Sequence, residues 1–452
     1  MARIDLDNDK LIPLCLRLSI PTAISQAVQV LYAIVDRMYI GHIDVIGTTA
    51  LSAVGIASPI TSLVSSFSVL IGLGGAPIMA MRLGGGEKKK AEDVLTTALY
   101  LLLGLSLVLT PLFFFLRNPL LELFGATDRN IGYASTYLGW YLAGTPFIII
   151  ATGLSNYLIN QGQSKKAMIA VITATVFNVV LDPVFIFIFE MDVKGAAIAT
   201  VISQIVQFLL TLYFITRKDI MLPLRLKRVA LPGSLVLKIV KFGISPFIII
   251  ATDSLLMILL NTMLSRFGGM EADLLITASA IIQSFHLLVM NPLGGITAGC
   301  QGLISYSYGA GKDERVRKAA MIAQAYAVIY SILMFTTIFL FAEKLVLLFT
   351  TDTSVAAFTA GYLRIFEMMI IPLAFQYSNV DAFTALAEVR FSLPLSLGRK
   401  CIFLISILLL PRFFTASSAF LAEPIADLMS GIISSCLFWT QLKKILAHKK
   451  RI

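Results

Sequence analysis

Again and again between residues 14 and 442 the chain stays apolar for about twenty residues at a stretch, with short polar breaks between. Inside a bilayer every backbone N–H and C=O must find its partner within the protein, so only helices and closed barrels can cross. These runs are continuous rather than alternating, which selects helices. Twelve spans are predicted, over 14–38, 51–81, 94–116, 131–159, 167–189, 196–216, 239–265, 274–303, 318–341, 355–386, 394–412 and 421–442. Only 14% of residues are charged, against about 25% in ordinary soluble domains, and no stretch is left for a soluble domain. The N-terminus, MARIDLDNDK, is polar and acidic, and the first apolar run is too long for a signal-peptide core, so it reads as a span.

The net charge of +10 could suggest a nucleic-acid partner, but its distribution points elsewhere. With both termini on one side, most of the 36 Lys and Arg fall in the termini and the even-numbered connectors. The positive-inside rule then puts both termini in the cytoplasm. The clusters Lys88 to Lys90, Arg225 to Arg228 and Lys449 to Arg451 are topology signals; lipid is the expected macroscopic partner and nucleic acid is not. Cys15, Cys300, Cys401 and Cys436 lie in or beside spans without metal spacing and read as packing residues. Three histidines and no P-loop leave no basis for an enzyme, a nucleotide site or a cofactor.

The second half repeats the first at a near-constant offset. Pro21 pairs with Pro246, Gly85-Gly86-Glu87-Lys88 with Ala310-Gly311-Lys312-Asp313, Tyr137-Leu138 with Tyr362-Leu363, and Pro146 with Pro372. Six spans per half is an even number, so both halves run the same way through the membrane, related by an axis along its normal. The expected fold is an all-α integral membrane protein of twelve transmembrane helices, in two pseudo-symmetric six-helix lobes with a central cleft. Its expected divisions are an N-lobe over 1–220, a cytoplasmic connector over 221–238 and a C-lobe over 239–452. Two lobes around a cleft suit alternating access, whereas a channel more often rings several subunits about one pore.

Within FNVVLDPVFIF a carboxylate, Asp182, sits in an otherwise apolar span, with Asn178 one turn earlier on the same helix face. An Asp at a helix centre costs about 2.5–3.5 kcal/mol to insert, so it belongs in a cavity that handles an ion or a proton. Pro183 next to it removes a backbone donor and frees a carbonyl.

Several passages resemble the multidrug and toxic compound extrusion (MATE) family. They are the opening helix IPTAISQAVQVLYAIVDRMYIGHI, the turn GLGGAPIMAMRLGGGEKKKAEDV with its echo SYSYGAGKDERVRKA, and NQGQSKKAMI followed by FNVVLDPVFIF and GAAIATVISQ. The resemblance covers essentially the whole chain, and AEPIAD looks like the prokaryotic branch. It implies a monomeric secondary antiporter in the cell membrane of a prokaryote. Such a protein exports small amphipathic organic cations, drugs or toxic compounds, in exchange for Na⁺ or H⁺. One family pattern, two Asp, an Asn and a Thr in the N-lobe, matches Asp36, Asp182, Asn178 and Thr200, which could hold Na⁺, with Tyr137 and Asn156 behind them. Another, in the C-lobe, matches Asp253, Tyr377 and Asp381. Both sets are present, so two coupling sites stay open. The family usually has Gly where TALAEVRFS carries Ala387 or Glu388, which puts the geometry of that turn in question.

Depth agrees with the first set, since Asp36, Asp182 and Thr200 all fall in the outer half of the membrane at 1.5 Å per helical residue. Two carboxylates close together cannot both stay charged, and a bound Na⁺ or proton relieves them. Asp253 and Asp381 come out near mid-depth, with Tyr377 one turn before Asp381. Glu367 and Arg364, three apart, are expected to pair with each other. His286 is expected to be a structural hydrogen-bonding residue, with a substrate or proton contact as the alternative; Asp427 takes the repeat position of Thr200, and Glu423 sits at the outer end of its span, within reach of water. The alternative within transporters is a flippase for lipid-linked sugars, which needs a basic cleft; the intramembrane charges read as mainly acidic. The loop RLGGGEKKKAEDV does not fit a major-facilitator transporter.

Overall fold

The computed structural model describes residues 4–44, 46–225, 232–350 and 352–447, and among these every regular element is a helix. The N-terminal half contains α1 (Leu11–Gly41), α2 (Gly47–Gly84), α3 (Lys88–Leu123), α4 (Ile131–Asn160), α5 (Ser164–Pro183) and α6 (Asp192–Thr216). The C-terminal half contains α7 (Gly233–Phe267), α8 (Ala272–Gly309), α9 (Asp313–Val346), α10 (Thr353–Phe366), α11 (Ile370–Ala385), α12 (Val389–Phe413) and α13 (Ala422–Ala447). Among the described residues eleven helices are long and apolar enough to cross a membrane, and α10 with α11 makes a twelfth crossing bent by 46°. The twelve-helix, two-lobe layout follows.

The bent crossing corrects the sequence reading of one continuous span over 355–386. Asp352 caps α10, accepting from the backbone N–H of Ser354 (2.8 Å) and Val355 (3.3 Å). The helix then breaks at Glu367-Met368-Met369, where a buried glutamate stands at its C-cap. A second irregularity follows Pro183: α5 widens into a π turn over Val184–Ile188. Glu190 (φ 51°) and Asp192 (φ 50°) then turn the chain into α6.

The halves pack together at the end that carries the N-terminal segment. A Cβ on Gly74 would overlap the Ile239 carbonyl, one on Gly243 the Leu70 carbonyl, and one on Gly309 the Met81 carbonyl. These glycines let α2 lie backbone to backbone against α7 and α8. Helices α1 and α8 are stitched by Ser19 Oγ to Ile296 O (2.8 Å) and Thr22 Oγ1 to Gly295 O (2.5 Å). Leu6 is fully buried at the same end, and Arg315 Nη2 donates to the Leu6 carbonyl (2.9 Å).

Charge placement departs from the sequence reading in one respect. Arg399 and Lys400, inside the predicted span 394–412, lie ten residues into α12 and are largely buried, so the intramembrane charge is mixed rather than mainly acidic. Lys227, Arg228, His448 and Lys449 to Arg451 lie outside the described residues.

Candidate functional site

In the N-terminal half, α1, α5 and α6 bring Asp36, Asn178, Asp182 and Thr200 together, all buried. The i, i+4 spacing on α5 puts Asn178 Nδ2 within 3.3 Å of Asp182 Oδ1, and the same amide reaches Thr200 Oγ1 at 3.4 Å. The carboxyls of Asp36 and Asp182 meet side chain to side chain. One oxygen each of Asp36 (Oδ1), Asp182 (Oδ2) and Asn178 (Oδ1) is buried with no hydrogen-bond partner. Buried acceptors left this way are costly unless something occupies the space between them. Oxygen-only groups of this kind suit a proton or a hard cation such as Na⁺. Tyr137 stands beside both carboxyls and stacks on Tyr141 at 6.4 Å.

Sequence reasoning missed Tyr32. It lies one turn before Asp36 on α1, hydrogen-bonds to Thr200 and borders both carboxyls. Its signal was the same i, i+4 spacing that exposed Asn178.

A cavity of about 560 Å³ opens beside this cluster and shares Tyr32, Asn178 and Thr200 with it. Helices α1, α2, α4, α5, α6 and α8 line it with amides and hydroxyls, among them Gln26, Gln29, Gln204 and Gln207, and with the ring of Tyr141. Among the described residues no Asp, Glu, Lys or Arg belongs to the lining. Asn156 is on this wall, donating back to Thr152 O at 3.0 Å.

The three C-lobe residues are arranged differently. Asp253 is more than half exposed and pairs with Lys400 Nζ at 2.6 Å. Asp381 instead accepts from Thr297 and Gln301. Tyr377 is close enough to feel Asp253, Asp381, Asp427 and Arg399. Asp253 and Asp381 therefore each have separate partners.

A further charged group was only partly anticipated. His286 Nδ1 lies 3.0 Å from Glu367 Oε1, and its Nε2 lies 3.5 Å from Glu423 Oε1. Arg399 bonds Glu423 through Nη2 and Asp427 through Nε, the latter at 2.8 Å. The expected pairing of Glu367 with Arg364 is corrected: Arg364 turns outward and donates to Phe339 O (3.1 Å), because the bend after α10 swings Glu367 inward toward α8. Glu423, expected near water, is buried under Arg399.

The model of the MatE family matches twice, over residues 21–184 and 247–411. The multidrug export protein MepA of Staphylococcus haemolyticus is 25% identical over 77% of this chain and 75% of its own length. An FAD transporter of Shewanella oneidensis is 24% identical over 94% of this chain and 93% of its own. Among solved structures, a MATE transporter in complex with MaD3S superposes with a TM-score of 0.90 at 23% identity, covering 97% of this chain and 98% of its own. A MOP-superfamily transporter from Pyrococcus furiosus also gives 0.90, at 21% identity, over 98% and 99%.

Proposed function

The chain belongs to the MatE family of membrane transporters, and from that premise we propose that it exports amphipathic organic cations in exchange for Na⁺ or H⁺. One observation carries this reading: the buried Asp36–Asp182 pair and the polar cavity have Tyr32, Asn178 and Thr200 in common. An ion between the carboxyls and a cation in the cavity therefore draw on the same side chains and the same negative charge. Binding of one disfavours the other, which is the coupling an antiporter needs. Tyr32 and Tyr141 offer ring faces to a flat cation, and the amides adapt to varied polar edges.

The names of the relatives, a multidrug exporter and an FAD transporter, agree on a small organic cargo. A carboxylate pair beside an uncharged wall favours a cation over a diphosphate-bearing cargo. The flippase weighed from the sequence finds no support in the family match. The reading includes a monomer in a prokaryotic cell membrane with both termini cytoplasmic, and lobes over 1–220 and 239–452 joined by 221–238. With that orientation, the glycine-packed end closes the cytoplasmic side and the protein faces outward.

The test is efflux of an ethidium-like cation from proteoliposomes under a Na⁺ gradient or a pH gradient, imposed separately. Wild type should respond to one gradient and Asp182→Asn to neither. Loss in Asp381→Asn with Asp182→Asn active would move the coupling to the C-lobe. Absence of gradient-driven efflux in wild type would overturn the reading.

A further inference from the structure

The C-terminal half contains a buried charge cluster to which the N-lobe reading gives no role. Five elements or their ends meet there: His286 from α8, Glu367 at the end of α10, Arg399 from α12, and Glu423 and Asp427 from α13, with Tyr377 of α11 alongside. Glu367 and Asp427 are almost wholly buried, at 1% and 0% exposure, yet Glu367 Oε2 and Asp427 Oδ2 have no hydrogen-bond partner.

Both ring nitrogens of His286 point at carboxylate oxygens. A neutral imidazole donates from one nitrogen only, and its other lone pair would face a negative oxygen. With both glutamates ionised, only the imidazolium satisfies both contacts. The charge count agrees. Three carboxyls face one guanidinium, so without a proton on the ring the cluster carries two uncompensated charges in a medium that penalises each by several kcal/mol. The nearby charges do not change that count. Lys400 of α12 is paired with Asp253 of α7, and Asp381 of α11 is bonded to Thr297 and Gln301. Tyr330 of α9 donates to Leu288 O (3.2 Å), and Arg364 of α10 faces outward.

A metal ion does not suit this place. Glu423 Oε1 already receives Arg399 and His286, and Asp427 Oδ1 receives Arg399. Among the described residues no three of His, Cys, Asp and Glu converge on a point as a metal would require. A proton needs no such shell.

We propose that the C-terminal half carries a proton-binding site of its own, in which the His286 ring holds a proton between Glu367 and Glu423, backed by Arg399 and Asp427. The site is distinct from the Asp36–Asp182 pair. It also stands where the bent crossing breaks, since Glu367 is the residue that ends α10. A change of charge on the ring therefore acts at the joint between α10 and α11.

The chain has three histidines, so ring-labelled histidine gives three NMR signals in a detergent-solubilised sample. His42→Gln and His448→Gln assign two of them and leave the third to His286. The expected result is an imidazolium signal for His286 at neutral pH. It should be lost in both Glu367→Gln and Glu423→Gln, each checked for cooperative melting, and unchanged in Asp36→Asn. A neutral ring in wild type at neutral pH overturns the proposal. So does an imidazolium indifferent to both glutamate substitutions. Should either glutamine variant fail to melt cooperatively, Glu→Asp at that position replaces it, and the shortened carboxylate must still perturb the signal. The measurement uses no transported compound, so its outcome is independent of whether the protein exports organic cations.

Discussion

Asn178 donates to Asp182 from one turn earlier on α5, at 3.3 Å. The same amide is within 3.4 Å of Thr200, so a single side chain ties the carboxylate to the cavity wall. Asn178→Ala removes that donor and one of the partnerless oxygens that would face an ion. The expected cost is about 1–3 kcal/mol, the range for leaving a buried polar group unpaired. If half of it falls on ion binding, the ion concentration for half-maximal efflux rises roughly twofold to twelvefold. Thr200→Ala should have the same direction and a smaller size. An Asn178→Ala protein with an unchanged ion dependence would remove this residue from the site.

Ala387 provides a stability test. It sits at φ 56°, in the left-handed region, and Gly162, its counterpart in the first half, sits at φ 78°. Both turns close in the same way, Gln163 N to Leu158 O and Glu388 N to Phe383 O, each at 2.9 Å. This is the Schellman closure that favours glycine. A side chain there costs about 1–2 kcal/mol, against about 0.5–1 kcal/mol of extra unfolded-chain freedom for glycine. Ala387→Gly should therefore raise the melting midpoint in detergent, by about 0.5–1 kcal/mol on those same terms. Gly162→Ala should lower it, since its Cβ would also press on Ile4 and Leu6 at 3.3 Å. A fall in stability for Ala387→Gly would contradict the strain argument.

What could be read in advance followed from cost. Asp182 stood out because hydrocarbon penalises a carboxylate, and Asn178 because 3.6-residue periodicity places it on the same face. The crossings were legible for the same reason. Tyr32 was not, because a tyrosine in an apolar run reads as packing; only the fold places its hydroxyl against Thr200. Arg399 and Lys400 fall inside a predicted span, but their partners Glu423, Asp427 and Asp253 lie on other helices, so the sequence does not show that they are compensated there. The bend at Glu367 was hidden because the apolar pattern runs straight through Met368 and Met369. The partners of His286 come from two other helices, α10 and α13, and no spacing along one chain segment encodes that.

Arg399 and Lys400 are neighbours on α12 with different expected costs. Lys400 pairs with Asp253, whose carboxylate is 56% exposed and is not enclosed by protein. Arg399 compensates Glu423 and Asp427, which are 5% and 1% exposed. Removing one partner of a buried pair costs about 3–5 kcal/mol, whereas an exposed pair contributes about 0–1 kcal/mol. Arg399→Met should thus melt far below wild type, and Lys400→Met close to it, in parallel thermal scans. Equal melting points would show that the Arg399 cluster is solvated.

The glycine seam predicts which cysteines can be reached. Cys15 on α1 and Cys300 on α8 are both fully buried where the halves meet, while Cys401 and Cys436 are exposed. On α7, a Cβ at Gly243 would overlap the Leu70 carbonyl of α2, so Gly243→Ala forces the two backbones apart. Overpacking of this sort costs about 1–3 kcal/mol. It is charged to the closed arrangement alone, because the contact exists only there. Each 1.4 kcal/mol raises the open population about tenfold, and the labelling of a buried thiol follows that population. With a membrane-permeant maleimide and peptide mass spectrometry, Cys15 and Cys300 should label about tenfold faster in Gly243→Ala, with Cys401 and Cys436 unchanged. A uniform rise at all four would mean general unfolding. No rise at Cys15 and Cys300, with the melting point lowered, would mean that the seam does not hold that end shut.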